Sequence, residues 1–164
     1  MTRVKIGVSA CLLGQKVRYD GKDKFADLEK YFDPKVYQLI PICPEVKMGM
    51  SIPRPAIQMR IIDGDTRLVQ VDNHKTDFTE QFNNWFKENE QHFKQFKGFI
   101  LKSKSPSCGN QTTPHFKTDE SFELKDGLFV HNLKLYNSLT VINEHQIPQK
   151  ELFQKFIRQI SKTT

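Results

Sequence analysis

The sequence predicts one α/β domain, spanning residues 1–164, with a mostly parallel sheet flanked by helices. Short β-rich runs at residues 4–10, 36–42 and 98–103 alternate with helical segments, which is typical of parallel sheets. The chain is long enough to bury an ordinary core without disulfides or structural metals. An Asp-Gly turn at residues 63–65 separates two further β-rich runs. We therefore expect a Rossmann-like sheet with a β-hairpin insertion.

The amino-terminal quarter is predicted to contain two strands and a short helix. The first run alternates apolar and polar residues, as a half-buried strand does, and leads into Cys11. Residues 26–32 have a helical pattern that ends at Asp33-Pro34. The second run is rich in β-formers, leads into Cys43 and breaks at Pro44. Both predicted strands thus end at a cysteine.

The middle of the chain is predicted to form the hairpin and one long helix. Strands at residues 57–62 and 67–71 flank the Asp-Gly turn, which supplies the positive φ of a tight turn. Asp77 followed by Glu80 is typical of a capping box, so we expect the helix to begin there. Aromatic residues then recur at three- and four-residue intervals, which predicts one buried helix face. They are Phe78, Phe82, Trp85, Phe86 and Phe93.

The carboxyl-terminal half is less regular. The third β-rich run leads into a loop that carries Cys108. Residues 110–127 show no clear periodicity and are predicted to be loop. Residues 138–143 resemble another strand, and the tail from Pro148 repeats apolar residues at helical spacing. We expect that tail to be an amphipathic helix with the proline in its first turn.

The composition restricts the classes of protein to which the chain could belong. Hydrophobic residues make up 37% of the chain and charged residues 27%, a mixture typical of globular domains. No apolar run approaches the roughly 18–20 residues of a membrane helix, and the amino terminus resembles a strand rather than a signal peptide. We therefore expect a cytoplasmic protein. The net charge of +6 is compatible with a nucleic-acid partner, with small anionic substrates or with neither.

The three cysteines are the main functional signal. Three is an odd number, and in a reducing compartment thiols are free, metal-bound or catalytic. Cys11, Cys43 and Cys108 each lie past the end of a different predicted strand. Since ligands of parallel sheets bind beyond the carboxyl ends of the strands, we predict that the three thiols share one site.

Such a site would suit an iron–sulfur cluster. A [4Fe–4S] cluster commonly takes four thiolates, so three leave one iron open to bind and polarise a substrate atom. The rival is a zinc-dependent hydrolase, with the zinc held by three cysteines and His74, His115 or His131 as the fourth ligand. A non-catalytic RNA- or metal-binding module is a further alternative.

Polar residues close to the cysteines are candidates for the chemistry. Glu45 follows Cys43 by two residues, where a carboxylate could transfer protons, although a solvated loop glutamate fits the same spacing. The segment SKSPSCG at residues 103–109 surrounds Cys108 with hydroxyls, a cation and glycine. Loops of this composition present N–H and hydroxyl groups to an anion or a polar ring. We interpret this segment as a binding loop.

Three motifs resemble those of one family. They are GVSACLLG at residues 7–14 with VRYDG at 17–21, ICPEV at 42–46, and LKSKSPSCG at 101–109. In this order, each centred on a cysteine, they resemble the family of the bacterial 2-thiouracil desulfidases, over about the first two thirds of the chain. The chain departs from the family pattern after residue 21, where Lys22-Asp23-Lys24 replaces a glycine and a histidine. Beyond about residue 110 the pattern fits poorly.

The resemblance implies a [4Fe–4S] cluster and removal of sulfur from a thiolated pyrimidine base or nucleoside. The sulfur would leave as sulfide, and oxygen from water would replace it. The implied cluster ligands are Cys11, Cys43 and Cys108, and the implied catalytic residues are Glu45 and Ser103. Ser9, Lys104 and Ser105 are the further candidates for contacts with the substrate.

Overall fold

A computed structural model describes residues 2–136 and 139–162. The strands are β1 (Val4–Ser9), β2 (Tyr37–Ile42), β3 (Ile57–Ile62), β4 (Asp65–Gln70), β5 (Asn73–Asp77), β6 (Gly98–Leu101), β7 (Thr113–Phe116), β8 (Phe122–Lys125) and β9 (Thr140–Asn143). The helices are α1 (Pro44–Lys47), α2 (Thr79–Phe93), α3 (Leu128–Tyr136) and α4 (Lys150–Ser161), with 3-10 turns at Ala10–Leu13, Glu29–Tyr31 and Glu144–Gln146.

The first sheet is parallel throughout, in the order β2-β1-β6-β9. The chain moves outward from β1 to β2 and then returns to the other side of β1 with β6. This reversal creates a switch point between β1 and β6, where a crevice opens at the carboxyl ends of the strands. The predicted α/β fold with a mostly parallel sheet is confirmed.

Helices cover both faces of this sheet. Successive side chains of a strand point to opposite faces, so Phe99 and Leu101 enter one core while Ile100 enters the other. The first core holds the buried stripe of α2 together with Phe129 of α3, and the second is closed by Phe156 of α4. The aromatic stripe of α2 is therefore core, as the periodicity predicted.

The second sheet has five strands in the order β5-β4-β3-β7-β8. The hairpin of β3 and β4 lies where the Asp-Gly turn predicted it, with Ile62 opposite Asp65. The insertion is larger than a hairpin, however, because β7 pairs in parallel with β3 and carries β8. The prediction of loop for residues 110–127 is wrong. Both strands have only four residues and β8 is exposed, so they lack a periodic signal and depend on pairing with β3.

Two local predictions need correction. Residues 26–32 contain only a 3-10 turn at Glu29–Tyr31, in which the N–H groups of Tyr31 and Phe32 donate to carbonyls three residues earlier. The N–H groups of Lys24 and Ala26 donate to the carbonyls of Cys11 and Leu12, which ties the start of this segment to the turn that carries Cys11. The capping box before α2 is absent. Phe78 is the N-cap, and the Asp77 carboxylate accepts the Thr79 N–H at 2.9 Å.

The end of the chain agrees with the sequence pattern. Strand β9 covers most of the predicted segment, and residue 138 lies outside the described residues. The amphipathic helix is present as α4, but it begins at Lys150 with Gln149 as its N-cap, so the prediction that Pro148 lies in its first turn is wrong. The pattern did not predict α3. Within the two described ranges, no helix is long and apolar enough to span a membrane.

Candidate active site

Three free cysteines line one cavity of about 540 Å³ at the carboxyl ends of the parallel strands. Cys11 lies in the 3-10 turn that follows β1, and Cys43 directly follows β2 as the N-cap of α1. Cys108 lies in the loop that leaves β6. Because β2, β1 and β6 are neighbours in the sheet, their ends bring the three side chains together.

The loop that carries Cys108 is held from within. The Ser105 hydroxyl oxygen accepts the N–H of Ser107 at 3.3 Å and that of Cys108 at 3.1 Å. The Ser107 hydroxyl lies 3.7 Å from the Cys108 sulfur. These contacts hold the backbone that leads into the thiol.

The same loop is also held from outside by the start of α3. The N–H groups of Gly127, Leu128 and Phe129 donate to the carbonyls of Gly109, Pro106 and Ser107 at 2.8–3.1 Å. A Cβ atom at Gly127 would lie 2.6 Å from the Ser107 carbonyl oxygen, so only glycine permits this approach. The irregular region after residue 109 therefore supports the Cys108 loop, a role that its sequence did not reveal.

Burial raises the pKa of all three thiols above the ordinary value for cysteine. It raises the pKa of Cys11 to about 11, although the Arg18 charge acts in the opposite direction. Burial also raises the pKa of Cys43 and Cys108, and the N–H of Val46 partly opposes the effect at Cys43. The Cys43 charge adds to the increase of the pKa at both other thiols. Thiols in this position become good ligands only when a positively charged group replaces their protons.

The donor set fits a cluster better than a single ion. Within the described ranges, no three His, Cys, Asp or Glu side chains are close enough to hold one metal ion together. In a cluster each thiolate binds a different iron, so thiols that share a cavity without converging on one point are suitable. The charges of Lys102 and Arg18, which act on Cys11, would offset the negative charge of bound thiolates.

The zinc alternative lacks its fourth ligand. No histidine is among the described residues that line the cysteine cavity. His115 and His131 line a different cavity, and His74 contacts Gln58 at 3.3 Å. A site of three cysteines and one histidine is therefore not formed.

Glu45 lies in α1, where its side chain is buried rather than solvated. Its Oε1 accepts two hydrogen bonds from the Arg54 guanidinium at 3.0 and 3.1 Å, and its Oε2 accepts the Ser107 hydroxyl at 2.9 Å. Arg54 and Ser107 are also buried and line the cavity. Sequence reasoning missed Arg54, because its loop has no pattern that relates it to Glu45.

Ser103 lines the cavity and is held by a carboxylate behind it. Glu144 accepts the Ser103 hydroxyl at 2.6 Å on Oε1 and the Ser103 N–H at 2.7 Å on Oε2. The Lys102 ammonium group lies 3.3 Å from the same Oε1. Glu144 opens the 3-10 turn after β9, so the fourth parallel strand also contributes to this edge. No sequence pattern pointed to Glu144.

The remaining candidates also line the cavity, with different surroundings. The Ser9 hydroxyl oxygen accepts the Lys102 N–H at 2.9 Å, and its hydrogen bond to Cys108 favours the thiolate of that residue. The Ser105 hydroxyl oxygen is occupied by its own loop. Lys104 is exposed, with a left-handed φ of 66°.

The profile of the 2-thiouracil desulfurase family matches residues 6–146. The chain belongs to the 2-thiouracil desulfurase family. The family match extends well beyond the first two thirds that the motifs indicated, and includes Glu144. The predicted family and the predicted class of enzyme are confirmed.

A solved structure supports the same assignment. The chain is similar to the [4Fe-4S]-dependent thiouracil desulfidase TudS, with 27% sequence identity and a TM-score of 0.71. The alignment covers 93% of this chain and 99% of TudS. A search of curated proteins finds no match.

Proposed function

We propose that this desulfurase-family chain removes sulfur from a thiolated pyrimidine such as 2-thiouracil, using a [4Fe–4S] cluster. The products would be uracil and sulfide, with the new oxygen taken from water. The observation that carries the proposal is the convergence of Cys11, Cys43 and Cys108 on one cavity that also presents Glu45 and Ser103. The cofactor named for TudS is the one that this set of thiols predicts.

Cys11, Cys43 and Cys108 would hold the cluster. When bound, it supplies an iron without a protein ligand, a Lewis acid suited to the sulfur of a thiocarbonyl group. Ser9 places a hydroxyl against the Cys108 sulfur, whereas the Ser107 hydroxyl, also close to that sulfur, donates its hydrogen to Glu45. Hydrogen bonds to the sulfur ligands are one means by which a protein tunes such a cluster.

Glu45 is our candidate for the general base. Water must lose protons as its oxygen replaces sulfur, and a carboxylate within the cavity can accept one. Arg54 and Ser107 hold both carboxylate oxygens, so the side chain is oriented before the substrate arrives. Arg54 is then a positioning residue for Glu45.

The other polar residues would bind the substrate. A cavity of about 540 Å³ is within the usual range for small-molecule sites, and a pyrimidine ring is small enough to enter it. Ser103, Ser105 and Lys104 lie on the wall formed by the loop after β6. We propose that Ser103 contacts the ring directly and that Lys104 acts at the cavity mouth.

Anaerobic reconstitution with iron and sulfide tests the proposal. The wild type should become brown, bind about four irons per chain as a [4Fe–4S] cluster requires, and release uracil and sulfide from 2-thiouracil. Changing Cys11, Cys43 or Cys108 to Ser should remove the visible absorbance and the activity together. A protein that stays colourless after reconstitution would refute the cofactor, and a brown protein that leaves thiouracil intact would refute the reaction.

Glu45→Gln separates the cluster from the proton transfer. This variant should keep the iron content and absorbance of the wild type while turnover falls roughly 100-fold or more, the usual contribution of a general base. Normal turnover in Glu45→Gln would exclude Glu45 as the base.

A further inference from the structure

The carboxylate of Glu144 lies behind Ser103, at the edge of the proposed active site. Its side chain is only 15% exposed, and the described residues that line the cavity do not include it. It nevertheless contacts two residues that do line the cavity, Ser103 and Lys102. Glu144 therefore has no direct contact with a bound ring and can orient it only through these neighbours, although its charge also reaches Cys11.

The direction of the Ser103 hydroxyl follows from its partners. A carboxylate can only accept hydrogen bonds and an ammonium group can only donate them. The hydroxyl hydrogen of Ser103 is therefore directed at Glu144, 2.6 Å away, and the Lys102 ammonium group donates to the hydroxyl oxygen at 3.3 Å. The Ser103 hydroxyl oxygen therefore presents a lone pair to the cavity and can accept a hydrogen bond there.

Glu144 is suited to hold this direction. Burial by itself raises its pKa, but the hydrogen bonds from Ser103 and the Lys102 charge outweigh burial, and the net pKa is lowered. The second oxygen is held by the backbone N–H of Ser103, which cannot reorient. The N–H group of Ser103 therefore holds the Glu144 carboxylate in place, and the carboxylate in turn orients the Ser103 hydroxyl.

We propose that Glu144 is a positioning residue that makes Ser103 a hydrogen-bond acceptor for the ring N–H beside the thiocarbonyl of the substrate. This inference rests on the proposed desulfidase function and specifies how the site recognises its substrate. Thiopyrimidines such as 2-thiouracil carry an N–H next to the carbon that bears sulfur. A ring with a methyl group on that nitrogen offers no donor and would be rejected.

Glu144→Gln changes the direction of the hydroxyl while keeping the shape of the side chain. The Ser103 N–H requires an acceptor, so it takes the amide oxygen of the glutamine. The amide NH₂ group then faces the Ser103 oxygen, and the hydroxyl hydrogen must turn toward the cavity. A ring N–H would then meet a donor, which leaves a buried polar group unpaired.

The test uses equilibrium binding of uracil to the reconstituted protein, measured by calorimetry. We expect Glu144→Gln to weaken uracil binding roughly tenfold, the cost of an unpaired polar group in a binding site. Iron content and absorbance should match the wild type. Glu88→Gln, with the same charge change at an exposed position on α2, is the matched control and should bind as the wild type does.

Two further measurements distinguish orientation of Ser103 from a merely structural role. First, the wild type should bind 2-thiouracil more tightly than one of its two N-methylated forms, with the methyl group at N1 or at N3. The ratio of these affinities should be about tenfold smaller in Glu144→Gln. Second, Glu144→Gln should have little further effect in a Ser103→Ala background, because residues that act as one unit are not additive.

The outcomes separate this inference from the proposed function. An active wild type with an unchanged Glu144→Gln variant overturns the role of Glu144 alone. Equal effects of Glu144→Gln with and without Ser103 also overturn it, since Glu144 would then act independently of Ser103. A reconstituted wild type that neither binds uracil nor converts thiouracil refutes the proposed function, and this inference with it.

Discussion

Arg54→Met tests whether the buried pair of Arg54 and Glu45 holds the site together. The Arg54 side chain is 4% exposed and the Glu45 side chain 11%, with 3.0 Å between Nη2 and Oε1. The substitution removes both hydrogen bonds to Oε1 and a third to the Ser51 carbonyl. Glu45 is left with the Ser107 hydroxyl alone.

The expected cost is large for a domain of this size. Removing one partner of a buried ion pair typically costs about 3–5 kcal/mol, because the other charge remains buried without compensation. The whole domain is expected to be stable by only about 5–15 kcal/mol. At about 2–4 °C per kcal/mol, the melting temperature should fall by roughly 6–20 °C.

Urea unfolding of the apoprotein provides the measurement. Arg60→Met is the matched control, because its partner Asp119 is 86% exposed and the pair should contribute about 1 kcal/mol or less. Replacing both residues, as Glu45→Gln with Arg54→Met, should recover part of the loss. If Arg54→Met and Arg60→Met unfold at the same urea concentration with equal slopes, the buried pair does not stabilise the fold in this way.

Two further predictions concern the cysteines. The folded state raises the Cys11 pKa from 9.0 to about 11 and so favours its protonated thiol; the resulting stability is present below pH 9 and lost as the pH rises through 11. Between pH 9 and 11 the free energy of unfolding of the reduced apoprotein, measured with urea, should fall by on the order of 2–3 kcal/mol. The fall should be smaller in Cys11→Ala. An equal pH dependence in both proteins would contradict the assignment of this loss to Cys11. Gly127→Ala should move α3 away from the Cys108 loop, cost about 1–3 kcal/mol and lower iron retention after reconstitution. Gly64→Ala, at a positive φ of 84° with no atom within 4 Å, reports backbone strain alone; iron loss equal to that of Gly127→Ala would refute the packing argument.

Some elements of the fold follow from local sequence patterns, and others form only through tertiary contacts. Strands β1, β2 and β6 were predictable from their β-rich apolar runs, and helices α2 and α4 from apolar residues at helical spacing. Strands β7 and β8 were not, because they lack such a run and form through pairing with each other and with β3. The segment at residues 26–32 looked helical, yet it forms only a 3-10 turn, and its first amide, that of Ala26, bonds to the turn that carries Cys11.

The functional residues also form two groups, those that were identifiable in the sequence and those that only the structure revealed. Glu45 and Ser103 were identifiable because each lies in a motif with a cysteine or close to one. Arg54 and Glu144 were not, although each binds one of those two side chains directly. Arg54 lies in a loop without a pattern, and Glu144 reaches the site only because β9 adds to the sheet beside β6.

The sequence by itself determined that three thiols follow three strands, and parallel strands place their carboxyl ends at one edge. That was enough to predict a single site, and the family was predicted separately from the resemblance of three sequence motifs. Only the tertiary structure decided what surrounds the thiols: which carboxylate is paired with a buried guanidinium, and which carboxylate directs the Ser103 hydroxyl. Hydrogen bonds of this kind join residues 9 to 62 positions apart, and no local pattern encodes partners at such distances.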